Sequence, residues 1–216
     1  MKGKKFVASY SGGKDSILAI YRAIKLGMVP VSLITTYNTD RGRSWFHGLP
    51  EHVLSEVSES LHIPVRLIET SGEEYALNFE KELVLQRQAG AQVAVFGDID
   101  LEPHRQWCTE RCNSAGLEAF FPLWQEDRGK LVYEFLESGF EARITVVDTV
   151  QLDKKHLGEM LTKERAEMIR AEGADICGEN GEYHTFVSDG PVFDRPVTPE
   201  FGEPFMYEQY VILPMK

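Results

Sequence analysis

Near the amino terminus, six consecutive residues combine glycine, serine, lysine and aspartate in one short segment. They follow an apolar run at residues 5–10 and read Ser11-Gly12-Gly13-Lys14-Asp15-Ser16. Glycines let the backbone approach anionic oxygens closely, serine hydroxyl groups donate hydrogen bonds, and lysine supplies a compact positive charge. Apolar residues then recur at helical spacing between residues 17 and 24, so free amides and the positive end of a helix dipole converge on this segment. The pattern predicts a phosphate loop, residues 11–16, between a strand and a helix.

Two common phosphate motifs are excluded by their spacing. A Walker loop requires a glycine five positions before Gly13 and a serine or threonine after the lysine, but these positions hold Ala8 and Asp15. The glycines of a dinucleotide-binding fingerprint are also absent after the first strand. Asp15 cannot bind phosphate directly, so it is a candidate helix cap or Mg²⁺ ligand. A plain Gly-Gly turn that caps a helix is the alternative, and the complete hexapeptide favours the phosphate loop.

The hexapeptide resembles the PP-loop of ATP pyrophosphatases, whose pattern is Ser-Gly-Gly-x-Asp-Ser directly after the first strand. This resemblance implies that ATP is cleaved between its α and β phosphates and that the loop holds the released pyrophosphate. It also implies that all six loop residues bind the nucleotide and that Lys14 and Asp15 act in catalysis. ATP and Mg²⁺ are therefore the expected cofactors, with Asp15 as the metal ligand.

Further segments follow along the chain. They are residues 97–99 (Gly-Asp-Ile), 104–107 (His-Arg-Gln-Trp), 121–124 (Phe-Pro-Leu-Trp) and 178–186 (Gly-Glu-Asn-Gly-Glu-Tyr-His-Thr-Phe), the last of which we call the late motif. Together with the phosphate loop, their order resembles the diphthine–ammonia ligase family, the ATP-binding-domain-4 type of PP-loop proteins. Asn180 and His184 stand where the diphthamide enzymes usually have glycine and glutamate, and these departures resemble a bacterial-type subgroup.

The family resemblance implies an AMP-forming amide ligase. A carboxylate would react with ATP to give an acyl-adenylate, and ammonia would then displace AMP. The resemblance assigns nucleotide contacts to His47, Gly97 and Asp98. It assigns acceptor contacts to residues of the late motif and of the segment at 104–107: Asn180, Gly181, Tyr183, Thr185 and Arg105.

Three titratable residues of the late motif are candidates for the chemistry of the second step. Glu179 and Glu182 are suited to bind an ammonium ion or to deprotonate it, and His184 is suited to act as a base near neutral pH. The alternative is a solvated hairpin, because Asn-Gly is a strong turn signal between strands. Arg105 has an alternative of the same kind, as an exposed helix charge.

Strand and helix signals alternate through the first half of the chain. This alternation predicts an α/β fold, with a mostly parallel sheet covered by helices on both faces. The resemblance specifies a PP-loop sheet of the adenine nucleotide alpha-hydrolase type. A polar stretch at residues 125–130 predicts a hinge, so we expect an ATP-binding domain at 1–125 and a smaller α+β substrate-binding lobe at 126–216. In that lobe, helices are predicted near residues 131–136 and 160–171, with a strand at 142–147.

Composition narrows the range of functions. The formal net charge of −11 on 216 residues argues against broad affinity for nucleic acids, and the presence of three cysteines fits a reducing compartment. Without a signal-peptide apolar region or an apolar stretch of about 20 residues, the chain is expected to be cytoplasmic. Cys108 and Cys112 are expected to pack on one helix face. A PP-loop tRNA sulfur-transfer enzyme and a non-catalytic nucleotide-binding module remain alternatives, and the acceptor, the ammonia source and a homodimeric state are left open.

Overall fold

A computed structural model describes residues 1–44, 47–70 and 74–216. The described chain divides into two compact units, one made of Met1–Ser11 and Asp15–Gln125 and the other of Gly12–Lys14 and Glu126–Lys216. The main division therefore falls after residue 125, but the three central residues of the phosphate loop cluster with the second unit. The domains predicted from the sequence, 1–125 and 126–216, stay a prediction. Gly12 and Lys14 form hydrogen bonds with a strand of the second unit, described below.

The first unit is built on a sheet that is mostly parallel. Its strands are β1 (Lys5–Ser9), β2 (Val29–Asn38), β3 (Arg43–Ser44), β4 (Val65–Thr70), β5 (Val93–Val95) and β6 (Glu118–Phe120). Among the described residues the order is β3-β2-β1-β5-β6, with β4 also paired to β2. The short β3 is antiparallel to β2, and the other pairings are parallel. The predicted α/β class is confirmed.

Four helices of the described chain accompany this sheet: α1 (Lys14–Lys25), α2 (Glu51–Leu61), α3 (Tyr75–Gln88) and α4 (Glu102–Ala115). Helix α1 buries Ile17 and Ile20, as its apolar spacing predicts. Cys108 and Cys112 on α4 are buried in one apolar cluster with Phe79 and Leu83 of α3. The two cysteines thus pack on one helix face, as expected from their separation of four residues.

The second unit combines helices with an antiparallel sheet. Its elements are α5 (Arg128–Glu137), β7 (Glu141–Asp148), a short 3-10 helix (Lys154–His156), α6 (Lys163–Ala171), β8 (Tyr183–Asp189), β9 (Phe205–Tyr207) and β10 (Tyr210–Ile212). In residues 126–216, all of which are described, the sheet order is β8-β7-β10-β9, so β8 is an edge strand.

The helix predicted at residues 160–171 begins three residues later than expected. The Thr162 side chain accepts a hydrogen bond from the backbone amide of Arg165 and caps the helix, while Met160 pairs with Arg143 in an isolated β-bridge. Across residues 1–44, 47–70 and 74–216, every helix is too short or too polar to span a membrane.

Candidate functional site

The phosphate loop occupies the corner between β1 and α1, as predicted. In the first unit, Ser11 follows β1 directly, and its amide nitrogen and Oγ lie 3.4 and 3.3 Å from Oγ of Ser16. Ser16 is buried in the first turn of α1, and Asp15 beside it is half-buried. The first amides of a helix have no intrahelical acceptor, so this corner brings backbone donors together with hydroxyl groups.

The central loop residues, Gly12–Lys14, belong to the second unit and contact its strand β8. Gly12 has a φ of +90°, a conformation that favours glycine, and its carbonyl accepts a hydrogen bond of 2.9 Å from the Val187 amide. The Lys14 amide donates to Oγ1 of Thr185 at 3.1 Å. The Lys14 ammonium lies 5.6 Å from the ring centroid of Tyr183, and Lys14 is only 6% exposed. Residues of the late motif therefore support the loop directly.

Gly97 follows β5 and is placed against the start of α1. A β-carbon added at Gly97 would lie 2.9 Å from the carbonyl carbon of Asp15 and 2.9 Å from the amide nitrogen of Ser16. Such distances are shorter than carbon contacts allow, so glycine is required for this close backbone approach. The structure thus gives Gly97 a packing function, whereas its contact with the nucleotide stays a prediction.

Asp98 lies next to Gly97 and shares the first unit with Asp15. Burial raises the pKa of the Asp98 carboxyl above its usual range, the nearby His104 imidazole opposes this shift, and the Asp15 carboxylate adds to it. Oδ1 of Asp98 lies 3.5 Å from Nδ1 of His104. His104 was not among the predicted site residues, although the segment at 104–107 contains it.

Arg105 is positioned by helix α4 in the first unit. Its guanidinium lies 4.7 Å from the ring centroid of Trp124, and one of its nitrogens is 3.6 Å from a carboxylate oxygen of Glu102. A cation that stacks on an aromatic face is held in a defined orientation. The predicted contact of Arg105 with the acceptor stays a prediction. His47 is half-buried before α2, and the two residues that precede it, 45 and 46, lie outside the described chain.

Glu182 of the late motif is buried and accepts hydrogen bonds from its own segment. Its carboxylate receives the Asp175 amide at 3.1 Å, the Asn180 amide at 3.0 Å and Nδ2 of Asn180 at 3.0 Å. Glu182 is 3% exposed, whereas Glu179 and His184 are half-buried. The geometry therefore places Glu182 as the acceptor that closes the turn before β8.

The same turn is held from outside the late motif. Nη1 of Arg128 donates to Oδ2 of Asp175 at 2.7 Å and to Oδ1 of Asn180 at 3.0 Å. The hydroxyl of Tyr183 donates to the carbonyl of Ile176 at 2.5 Å. Gly181 has a φ of +88°, consistent with the predicted Asn-Gly turn. Sequence reasoning missed Arg128 and Asp175, because residues so far apart in the chain show no common pattern.

A third support comes from the end of β7. Asp148 is 1% exposed, and its amide donates to the Glu182 carbonyl. Its Oδ2 accepts hydrogen bonds from Nε2 of Gln151 at 2.9 Å and from Nε2 of Gln209 at 2.8 Å. Gln151 also donates to the Asn180 carbonyl at 3.2 Å. Burial acts to raise the pKa of Asp148, but hydrogen bonds from both glutamines and from backbone amides hold it below its usual range.

The cysteines of the described chain are buried and form no disulfide bond. Burial raises the pKa of Cys112 to about 12 and that of Cys108 well above its ordinary value. Because the thiolate is the reactive form of cysteine, these two thiols are unsuited to sulfur transfer at neutral pH. Cys177, in the turn before the late motif, is also buried.

Comparison with known families covers both units. The model of the diphthamide synthase N-terminal domain matches residues 4–119, and that of the diphthamide synthase C-terminal domain matches residues 127–209. The chain belongs to the diphthamide synthase family. The resemblance to this family is therefore confirmed, and membership of a bacterial-type subgroup stays a prediction.

One relative of this chain is the diphthine–ammonia ligase of Rattus norvegicus. It is 25% identical over 236 residues, which cover 98% of this chain and 88% of that protein. The tRNA-cytidine(32) 2-sulfurtransferase of Bartonella tribocorum is 38% identical over 68 residues, or 30% of this chain and 22% of that protein. A solved structure of a predicted subunit of tRNA methyltransferase from Methanocaldococcus jannaschii is 15% identical, with a TM-score of 0.48. The similarity covers 89% of this chain and 100% of that chain.

Proposed function

We propose that this chain is an ATP-dependent, AMP-forming amide ligase that acts in the cytoplasm. The carboxylate of an acceptor attacks the α-phosphorus of ATP, which forms an acyl-adenylate and releases pyrophosphate. Ammonia then attacks the acyl carbon, giving the amide, AMP and a proton. One observation carries the proposal: in a diphthamide synthase family chain, the complete hexapeptide occupies the corner between β1 and α1.

In the first step, the protein must stabilise negative charge on the leaving pyrophosphate. Preorganised amides of the phosphate loop and the Lys14 ammonium are suited to this task, because donors placed in advance cost no reorganisation during the reaction. The burial of Lys14 strengthens its electrostatic effect, since charges interact more strongly away from water.

The first unit also offers oxygen ligands for a magnesium ion. Asp15 lies in the first turn of α1, and its carboxylate is close enough to Asp98 to raise the pKa of the Asp98 carboxyl. Carboxylate oxygens are ligands that Mg²⁺ prefers, so Asp15 is the residue that would hold the ion. When bound, Mg²⁺ would supply positive charge to the phosphates.

In the second step, the late motif would receive ammonia and the acceptor. Glu179 is half-buried in the turn whose backbone is held by Glu182, and His184 is half-buried in β8. Both remain the candidates for binding ammonium and removing its proton. Asn180 and Gly181 form the turn and are the proposed acceptor contacts. The rat relative named diphthine–ammonia ligase supports ammonia as the nitrogen donor and a carboxylate such as that of diphthine as the acceptor.

A product analysis tests this proposal. Purified protein is incubated with ATP, Mg²⁺, ammonium and a panel of carboxylates that includes diphthine on its carrier protein. We expect AMP and pyrophosphate in equal amounts, with one amide formed for each AMP. Production of ADP and inorganic phosphate would contradict the proposal, and AMP formed without any amide would contradict the second step.

The similarity to a tRNA sulfurtransferase over 68 residues favours one alternative, a PP-loop enzyme that transfers sulfur to tRNA. The net charge of −11 and the raised pKa values of Cys108 and Cys112 argue against it. Incubation with tRNA, ATP and a sulfide donor, followed by nucleoside analysis, separates the two. A thiolated nucleoside would favour the alternative. ATP binding without AMP release under any of these conditions would favour a nucleotide-binding module.

A further inference from the structure

Three residues of strand β8 contact the central residues of the phosphate loop. Tyr183, Thr185 and Val187 alternate along β8, and all three are buried. The Tyr183 ring lies beneath the Lys14 ammonium, the Thr185 hydroxyl accepts the Lys14 amide, and the Val187 amide donates to the Gly12 carbonyl. Because β8 is an edge strand, backbone groups on its outer side can pair with another segment, and the Val187 amide pairs with Gly12 in this way.

The Thr185 hydroxyl accepts a hydrogen bond from the first amide of α1, as an N-cap side chain next to a helix usually does. Helix α1 begins at Lys14, and the first amides of a helix need acceptors from outside its own hydrogen-bond ladder. A capping side chain usually comes from the preceding residue, but here it comes from a residue 171 positions later. Thr185 is 2% exposed, so water does not readily replace its hydroxyl if that group is lost.

We propose that Thr185 is a positioning residue for the phosphate loop, with Tyr183 as its partner. Thr185 orients the Lys14 backbone, and the Tyr183 ring orients the Lys14 ammonium, so that both are presented to the phosphates of ATP. This inference rests on the proposed function. It replaces the acceptor contact that the sequence predicts for both residues.

A consequence concerns the organisation of the late motif. Its first part, residues 178–182, forms the turn that carries Glu179 and Asn180, whereas Tyr183 and Thr185 in its second part support the phosphate loop. One continuous segment would thus serve both substrates of the ligase. Variants in the turn and variants of Tyr183 or Thr185 should separate kinetically, with nucleotide binding affected by Tyr183 and Thr185 alone.

The decisive comparison is between variants that differ in a single hydroxyl group. Thr185→Ser keeps the hydroxyl and Thr185→Ala removes it, and both lose the same methyl group. Binding of α,β-methylene-ATP is measured by calorimetry in the presence of Mg²⁺. We expect Thr185→Ser to bind within about threefold of the wild type and Thr185→Ala about tenfold more weakly than Thr185→Ser, as for loss of one buried hydrogen-bond partner.

Thr145 provides a matched control in the neighbouring strand β7. It is 1% exposed, and its Oγ1 has no hydrogen-bond partner among the described residues. Thr145→Val should leave binding of the ATP analogue unchanged, whereas Thr185→Val should weaken it about tenfold or more. Thermal unfolding of each variant establishes that the protein is folded at the temperature of the binding measurement.

Three outcomes would overturn the inference, and they are distinguishable. Equal affinity of Thr185→Ser and Thr185→Ala for the analogue removes the positioning role while the proposed ligase function stands. A raised KM for the carboxylate acceptor, with unchanged affinity for the analogue, returns Thr185 to acceptor binding. Failure of the wild-type protein itself to bind the analogue overturns the proposed function and, with it, this inference.

Discussion

The phosphate loop and the turn at residues 178–182 have similar compositions but are built differently. Both combine glycines with charged residues. In the loop, donors come from backbone amides at a helix start, and a lysine contributes the side-chain charge. In the turn, the carboxylate of Glu182 is used as a hydrogen-bond acceptor for the backbone, and an arginine from α5 holds the opposite side. A charged residue in a motif can therefore be part of the scaffold as readily as part of the chemistry.

The largest effect is expected from a substitution in the phosphate loop. Lys14→Ala should lower AMP formation about 10²–10³-fold, as for loss of one preorganised group that stabilises developing charge. AMP release from radiolabelled ATP measures the change. Lys81→Ala, at an exposed position of α3, is the control and should retain full activity. Undiminished turnover of Lys14→Ala would remove the loop from the mechanism.

Glu182 and Glu179 should show opposite phenotypes if the turn is organised as described. Glu182→Ala leaves the amides of Asp175 and Asn180 without their buried acceptor and should lower the free energy of unfolding by about 3 kcal/mol. Glu179→Ala should lower it by about 1 kcal/mol or less and instead slow amide formation.

Urea unfolding and amide formation measured on both variants test this contrast. If Glu182→Ala is as stable as the wild type but inactive, Glu182 acts in the chemistry and the scaffold interpretation is wrong. If both variants lose stability equally, the turn does not distinguish the two glutamates.

Gly97 tests whether the loop depends on close backbone packing. Gly97→Ala places a methyl group 2.9 Å from backbone atoms of Asp15 and Ser16, and should lower the free energy of unfolding by about 2 kcal/mol. Gly202→Ala is the control, because its nearest contact is a side-chain atom of Pro214 at 3.1 Å. Thermal unfolding measures both variants. A Gly97→Ala protein of wild-type stability would show that the corner tolerates extra volume.

Asp148 gives the smallest effect, and this effect depends on pH. Its hydrogen bonds favour the ionised carboxyl, so its contribution to stability is present above the ordinary aspartate pKa of about 4 and is lost as the pH falls further. Asp148→Asn should lower the free energy of unfolding by about 1–2 kcal/mol at pH 7. Urea unfolding at pH 7, 5 and 3.5 should show this difference shrinking at the lowest pH, and a constant difference would contradict the assignment.

Local signals in the sequence predicted the first elements of the chain well. The apolar run at residues 5–10 contains β1, and the helical spacing between residues 17 and 24 lies within α1. The predicted start of α6 at residue 160 was wrong, because Met160 instead pairs with Arg143, which lies in a strand that is distant in sequence. Periodicity reports which face of an element is buried, but pairing across the chain decides where the element ends.

The sequence by itself determined the α/β class, the family and the position of the phosphate loop. These follow from apolar spacing and from contiguous residues whose chemistry is readable without a fold. Only the tertiary structure decided that Thr185 and Tyr183 contact Lys14, and that Glu182 serves the backbone of its own turn. The physical reason is that burial and hydrogen-bond partners depend on residues brought together from distant parts of the chain. A residue type specifies the bonds that are available, and the fold specifies which of them are made.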